Sequence, residues 1–430
     1  MDNKRTQRAT APSKTLLVFS AGLLIMSGCS SATGNEPAPQ VAQRAVDGGG
    51  EYYSQFTNGL PDDAGFFPLA LWHESLTDEA GVQADKSFGI NTYIEVTPDS
   101  DTAMAWNNDM YVLSSLPTEH QNGFVLPDEV DMWAKSGDGV WTGAWPGEAP
   151  VCEPEDSRCG YTVMEKSLAK APKDLAVYAN FGKGVTFWDP DEPGKTFVNS
   201  YADIVSADNY WFTDPNICSQ HEGGKRFETP RDMTGDECRL AANYGWTVER
   251  IRSLVEPEAS KPVWGFVEIG LPFVDGPRAI TSQEIRAAVW QSIIAGARGI
   301  VYFNHSFGGT CQSQHVLRDC GTELSGDIAA INAEVEKMAP VINAPAVEGA
   351  MTVNGPTKAA AKSVGSDMYI LAGSAHAAEQ QTEFNVSCEL PRTIEVVGES
   401  RTIRTSGGKF TDEFVDGNTI HLYKIAGASC

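Results

Sequence analysis

At 430 residues the chain is too long for one ordinary domain and long enough for a large core with a smaller companion. Its 41 % hydrophobic and 9 % aromatic content is that of a globular protein and excludes wholesale disorder. A net charge of −25 repels phosphate backbones and anionic headgroups, which excludes nucleic acid and electrostatic membrane binding and leaves neutral partners.

The N-terminus reads as an export signal. Lys4, Arg5, Arg8 and Lys14 precede an apolar segment, Thr15 to Met26, that is too short to anchor stably across a bilayer. It runs into Met26-Ser27-Gly28-Cys29, which resembles a bacterial lipobox, and the resemblance implies cleavage before Cys29 and a lipid on that cysteine. Residues 1–28 are therefore expected to be a lipoprotein signal. Residues 29–60, rich in Gly, Ala and Pro as far as Gly50, are expected to be a flexible tether. The expected address is the outer face of a bacterial membrane, reached only through the lipid; the alternative is a soluble exported chain.

Eight cysteines remain: Cys152, Cys159, Cys218, Cys238, Cys311, Cys320, Cys388 and Cys430. They allow about 105 connectivities. Neighbour pairing is favoured because each successive pair falls within one predicted loop or domain. An even count outside the cytoplasm suits disulfides, and no Cys-x-x-Cys or His-x-x-x-His spacing points to a metal.

Eight apolar, β-rich runs follow in order: from Phe66, Ile90, Met110, Gly123, Leu175, Asp203, Pro262 and Gly299. Several are nearly continuous rather than alternating, as strands buried on both faces require. Helical patterns lie between them, at Asp78–Phe88, Thr162–Ala171, Cys238–Val255, Thr281–Ala297 and Ser325–Met338. In the fourth, Thr281 and Glu284 form a capping-box pattern, and Ile285, Ala288, Val289, Ser292 and Ile293 share one face. The second and third units leave room only for short helices. Eight alternations over about 270 residues point to a (β/α)8 barrel spanning residues 61–344. From 345 to 430 short alternating segments predict a compact, sandwich-like antiparallel β-domain, its last strand tied by a Cys388–Cys430 bridge.

Barrel sites lie at the carboxyl ends of the strands. The residues that finish the runs are Trp72 and His73, Glu95, Asp128 and Glu129, Asn180, Asp208 with Tyr210 and Trp211, Glu268, and Asn304 with His305. The segment Trp188 to Gly194 holds a second Asp-Glu-Pro, but its turn chemistry places it on the rim.

Glu129 after the fourth strand and Glu268 ending the seventh resemble the placement in clan A retaining glycoside hydrolases. The run GFVLPDEVDMW from Gly123 is similar to the Asp-Glu-Pro-Asp segment of bacterial barrel proteins related to that clan, and the stretches from Pro262 and Ser282 to later parts of them. The resemblance covers Phe66 to the C-terminus. It implies hydrolysis of a poly- or oligosaccharide without a cofactor, Glu129 being the acid/base and Glu268 the nucleophile. Two departures stand out: Asp128 occupies the position where the clan usually has Asn, and Val130 one where a proline often follows.

Retention demands two carboxyls about 5–5.5 Å apart, one protonated and one ionised. Trp72, Asp128, Asn180, Asp208, Tyr210, Trp211, Asn304 and His305 are the expected sugar contacts, with Tyr210 as a donor to Glu268 and Trp188 as a further stacking candidate. Two alternatives use the same barrel: an inactive, glycan-binding surface lipoprotein, or a structural envelope lipoprotein.

Overall fold

The computed structural model describes residues 41–428. Thr15–Met26, Cys29 and Cys430 lie outside the described residues.

Eight parallel strands close into a barrel: β1 (Leu69–Glu74), β2 (Thr92–Val96), β3 (Tyr111–Leu113), β4 (Gly123–Val125), β5 (Ala176–Phe181), β6 (Ile204–Ala207), β7 (Val263–Glu268) and β8 (Ile300–Phe303). Closure is made by β8 against β1, Ile300 opposite Leu69 and Phe303 opposite Trp72. Each strand is apolar on both faces because both are covered. Trp72, Ile94, Val125, Tyr178, Ile204, Trp264, Phe266 and Val301 fill the barrel, while Leu71, Tyr93, Val112, Val177, Val205, Val267 and Tyr302 pack outward under the helices. This is why the runs read as continuous rather than alternating.

The helices begin where their caps sit. Asp78 accepts from the Gly81 N–H at the start of Glu79–Ser87. Thr281 and Glu284 make the reciprocal capping box at the start of Ser282–Ile294. The stretch between β2 and β3 holds only the short helix Thr102–Asn107. The helix Ser282–Ile294 buries the face expected of it and also Ala287, Trp290 and Gln291. Its second face is covered by the C-terminal domain, where Gln291 Nε2 donates to the Ser374 carbonyl at 2.6 Å.

The last barrel helix ends at Ile342, and antiparallel strands begin at Ala346. Together with Ala42–Arg44 they form one seven-stranded and one three-stranded sheet, with Ile370, Phe384, Phe410, Phe414 and Tyr423 among the core side chains. Three disulfides join neighbours, Cys152–Cys159, Cys218–Cys238 and Cys311–Cys320. Cys388 is also disulfide-bonded.

The expectation of a flexible tether to residue 60 is corrected for its second half. Ala42–Arg44 pairs with Ala346–Glu348 as the outermost strand of the larger sheet. Tyr53, 2 % exposed, and Leu60 plug the amino-terminal end of the barrel against Ala70 and Trp264. The Trp264 indole donates to Tyr53 Oη at 3.1 Å, and Asp47 is held by Arg252 at 2.5 Å and Arg44 at 2.9 Å. Glycine-rich composition concealed the few aromatic anchors that order this stretch.

Candidate active site at the carboxyl end of the barrel

The ends of β1 and β2 and the loop beyond β4 each hold a backbone that L-residues seldom adopt. His73, Glu95 and Glu129 have φ of 52°, 57° and 50°. Such left-handed positions cost free energy and concentrate where a side chain must be aimed. Trp72, His73, Glu95, Leu126, Asp128 and Trp133 are among the residues lining a cleft of about 650 Å³ over this half of the barrel.

Asp128 is open to the cleft but sunk among protein atoms. Burial raises its pKa, the Asn180 amide opposes the rise, and the negative charges of Asp131 and Glu95 add to it. A chain of hydroxyls fixes that amide. Tyr178 Oη lies 2.5 Å from Ser206 Oγ, which donates to Asn180 Oδ1 at 2.6 Å, leaving Asn180 Nδ2 to donate to Asp128 Oδ1 at 3.0 Å. Asn180 and Asp128 are thus brought together, as partners of each other.

Glu129 turns the other way, over the end of β5. A Cβ on Gly182 would lie 2.7 Å from Glu129 Oε1 and 2.2 Å from Met132 Sδ, so a methyl here would displace the ends of both side chains. Burial raises the Glu129 pKa, and the charges of Asp128 and Asp131 raise it further. Its hydrogen-bonding neighbour is the Asp208 carboxyl from the end of β6, whose own pKa is driven up by burial and then by Glu129 and Asp128. Two carboxyls can bond only by sharing a proton, so this pair stays partly protonated at neutral pH. Asp208 Oδ1 is buried without a permanent protein donor. Tyr210 Oη, close against the same carboxyl, is likewise buried without a partner at full hydrogen-bonding geometry. Neither Asp208 nor Tyr210 is part of the cleft wall.

Asp131 was not singled out from the sequence although it lies two residues beyond Glu129. Its carboxylate accepts from the Gly182 N–H at 3.1 Å and the Val185 N–H at 2.8 Å, tying the β4 loop to the β5 loop, and burial pushes it up to about 6. Lys183 lies near enough to lower the Glu129 pKa and pairs with Asp214 at 2.5 Å and Glu222 at 2.8 Å.

Glu268 is 0 % exposed and, like Glu129, Asp208 and Tyr210, absent from the cleft wall. Its oxygens are taken by Tyr244 Oη at 2.5 Å and by the Phe212 N–H and Thr213 Oγ1, each at 3.3 Å. Burial pushes its carboxyl up to about 7 against the pull of those donors. The donor is Tyr244, from the helix Ala242–Leu254, rather than Tyr210. The seal forms because the loop after β6 folds back over the end of β7.

Three other expected contacts are structural. Trp211 is 0 % exposed, its indole donating to Thr247 Oγ1 at 3.0 Å. Asn304 is buried between the Glu74 carboxylate, at 2.8 Å, and the Leu317 N–H, at 3.0 Å. His305 is buried with Nε2 3.1 Å from the Trp72 carbonyl, and burial lowers its pKa. Trp72 packs on Tyr178 and Phe266 and forms part of the cleft floor. Among the described residues no cluster of three or more His, Cys, Asp or Glu has metal-binding geometry.

Neither a family model nor a curated protein matches the sequence. Among solved structures, a family 5 glycoside hydrolase from Bacteroides vulgatus ATCC 8482 is similar at 12 % identity, with 86 % of this chain and 90 % of that chain covered and a TM-score of 0.47. A family 39 glycoside hydrolase from Bacteroides cellulosilyticus WH2 is similar at 10 % identity, with 84 % and 82 % covered and a TM-score of 0.47. The noncanonic maltogenic α-amylase AmyB from Thermotoga neapolitana is similar at 12 % identity, with 83 % and 98 % covered and a TM-score of 0.47. These are distant likenesses; the barrel is established by its own strand pairing.

Proposed function

We propose that the protein is an exported glycoside hydrolase, anchored through a lipid on Cys29, whose proton chemistry is carried by Asp128, Glu129 and Asp208. One arrangement carries the reading: Asp128, held by the Asn180 amide, faces the cleft, Glu129 is the next residue and Asp208 from the end of β6 lies beside Glu129, and burial raises the pKa of all three. Their environments differ, which separates their roles. Glu129, crowded by carboxyls, keeps a proton at neutral pH and gives it to the departing glycosidic oxygen. Asp128 accepts from Asn180, is the more easily ionised, and opens to the cleft, where it meets a water or the anomeric carbon. The attacking water leaves its proton on Asp128, and that proton passes through solvent to Glu129, which restores the acid beside Asp208 for the next cycle.

The test is turnover of a panel of oligosaccharides by the wild type, Glu129→Gln and Asp208→Asn, with the first anomer formed read by NMR. General acid catalysis contributes roughly 100- to 10,000-fold, and Glu129→Gln is expected to lose a factor in that range. Full activity in that variant sinks the assignment.

The sealed Glu268 favours a second reading, capture of glycans without hydrolysis. A wild type that binds members of the panel and turns over none selects it. The anchor is tested separately: Cys29→Ala is expected to abolish labelling by a fatty-acid analogue and release the protein from membranes.

A further inference from the structure

The sequence singled out Trp72, Trp188 and Trp211 as possible stacking surfaces, yet the exposed indole in the cleft belongs to another tryptophan. Residues Val140–Trp141 and Cys152–Glu153 pair as a two-stranded hairpin beyond β4, and Cys152–Cys159 ties its second strand to the start of the helix Gly160–Leu168. Near the tip of this hairpin Trp145 lines the cleft and is 41 % exposed. Its ring meets Trp141 edge-on at 5.6 Å and is tilted against Trp133 at 5.8 Å. Trp133 also lines the cleft, and its indole N–H donates to the Asp128 carbonyl at 2.7 Å. An aromatic wall therefore runs without a break from the backbone of the carboxyl cluster to the outer end of the cleft.

Leaving a tryptophan face wet costs free energy that folding had other ways to avoid, and three converging indoles held by a disulfide-closed loop are not a solvation device. The Trp141 indole donates to the Ala144 carbonyl at 2.9 Å, and the Trp145 backbone N–H donates to Glu148 Oε2 at 3.0 Å, so the turn that carries the exposed ring is preorganised. The apolar face of a pyranose ring is the ligand such a surface takes. The ionisable groups facing the cleft are Glu95, Asp128, His73 and Lys170, and the chain carries a net charge of −25, so an uncharged sugar is favoured over a uronic acid.

We infer that Trp133 and Trp145 form a subsite for a neutral sugar ring beyond the one that meets Asp128 and Glu129, so that the ligand is a neutral oligosaccharide or polysaccharide chain and not a single sugar. The inference rests on the proposed glycan function but not on catalysis.

The experiment measures binding of neutral gluco-, manno-, xylo- and galacto-hexasaccharides, their monosaccharides and an oligogalacturonate to full-length protein carrying Glu129→Gln, by calorimetry and tryptophan fluorescence. A neutral hexasaccharide is expected to bind and its monosaccharide not. Trp145→Ala added to this background is expected to weaken hexasaccharide binding roughly tenfold or more, the loss typical of a buried aromatic anchor. Trp106→Ala serves as control, since that ring is 51 % exposed, stacked on His120 and absent from the cleft; it is expected to bind as the parent does. Circular dichroism checks that both variants fold. Undiminished binding in Trp145→Ala, preference for the galacturonate, or no binding of any neutral chain overturns the subsite. Binding that depends on Trp145 in a protein whose wild type hydrolyses nothing upholds the subsite and rejects the hydrolase.

Discussion

Glu268 is buried with its proton affinity raised, and that has a consequence for stability with a definite sign. Its carboxyl is pushed from an ordinary value near 4.5 to about 7, so between those values the folded chain holds a proton that the unfolded chain has released. Stability falls as pH rises through that window, by an amount on the order of 3 kcal/mol for this one group. In Glu268→Gln the term is absent while the Phe212 and Thr213 donors keep an acceptor. Urea unfolding from pH 4.5 to 8 is expected to show a shallower pH slope for the variant, which becomes the more stable form at pH 8; equal slopes disprove the burial. The same substitution bears on function. A carboxylate sealed from the cleft is not a nucleophile, so the variant is expected to keep turnover within about tenfold, whereas loss of a covalent nucleophile removes several orders of magnitude.

Glu129 yields the complementary prediction. Because burial and neighbouring acids raise its pKa, the protonated, active form persists above the ordinary carboxylate range and is lost as pH rises through the raised value. The alkaline limb of the rate profile is expected to reflect Glu129 and to move to lower pH in Asp131→Asn, which removes one negative neighbour that raises the Glu129 pKa. An unmoved limb in that variant separates the two residues.

Individual elements are held by few atoms. The β4 and β5 loops meet where Gly182 passes under Glu129 and donates to Asp131. Gly182→Ala puts a methyl where Glu129 Oε1 and Met132 Sδ now stand, so Glu129 must leave its position. Turnover is expected to fall at least 100-fold, with a loss of stability of about 1–3 kcal/mol, typical of overpacking; rate and urea midpoint check the two. The helix Ser282–Ile294 relies on its capping box, and Thr281→Ala is expected to cost about 1 kcal/mol in urea unfolding with the site unchanged.

At the scale of the whole molecule, the barrel does not end at its strands. Tyr53 and Leu60 close its amino-terminal mouth, and Ala42–Arg44 joins the sheet of the C-terminal domain, so one short segment ties both parts together. A chain beginning at residue 41 is expected to fold cooperatively. One beginning at 61 loses the aromatic plug, the Asp47 ion pairs and the added strand, and is expected to melt at markedly lower temperature or to aggregate; differential scanning calorimetry decides. Equal melting temperatures would show the plug to be dispensable.

How much of this was legible in the chain follows from the range of the forces involved. Eight strands and several of their helices could be read because burial on both faces and helix capping act within a few residues, as the runs from Gly123 and Pro262 and the Thr281–Glu284 pair show, whereas Trp188–Gly194, read as a rim loop with turn chemistry, runs into the helix Asp191–Ser200 between β5 and β6. That Asp128 and Glu129 end one strand, and Asp208 and Tyr210 another, was equally local. What only the tertiary structure decided was the direction each side chain takes once distant loops arrive. Tyr244 reaches Glu268 from a helix 24 residues earlier, the loop after β6 seals that carboxyl, and Asp208 from β6 meets Glu129 over the end of β5. Trp145 emerges on a hairpin with no mark in the sequence to set it apart. Strand identity is written in neighbouring residues, but the company a carboxyl keeps is fixed by side chains far along the chain, and that company sets whether it is wet or dry, ionised or protonated.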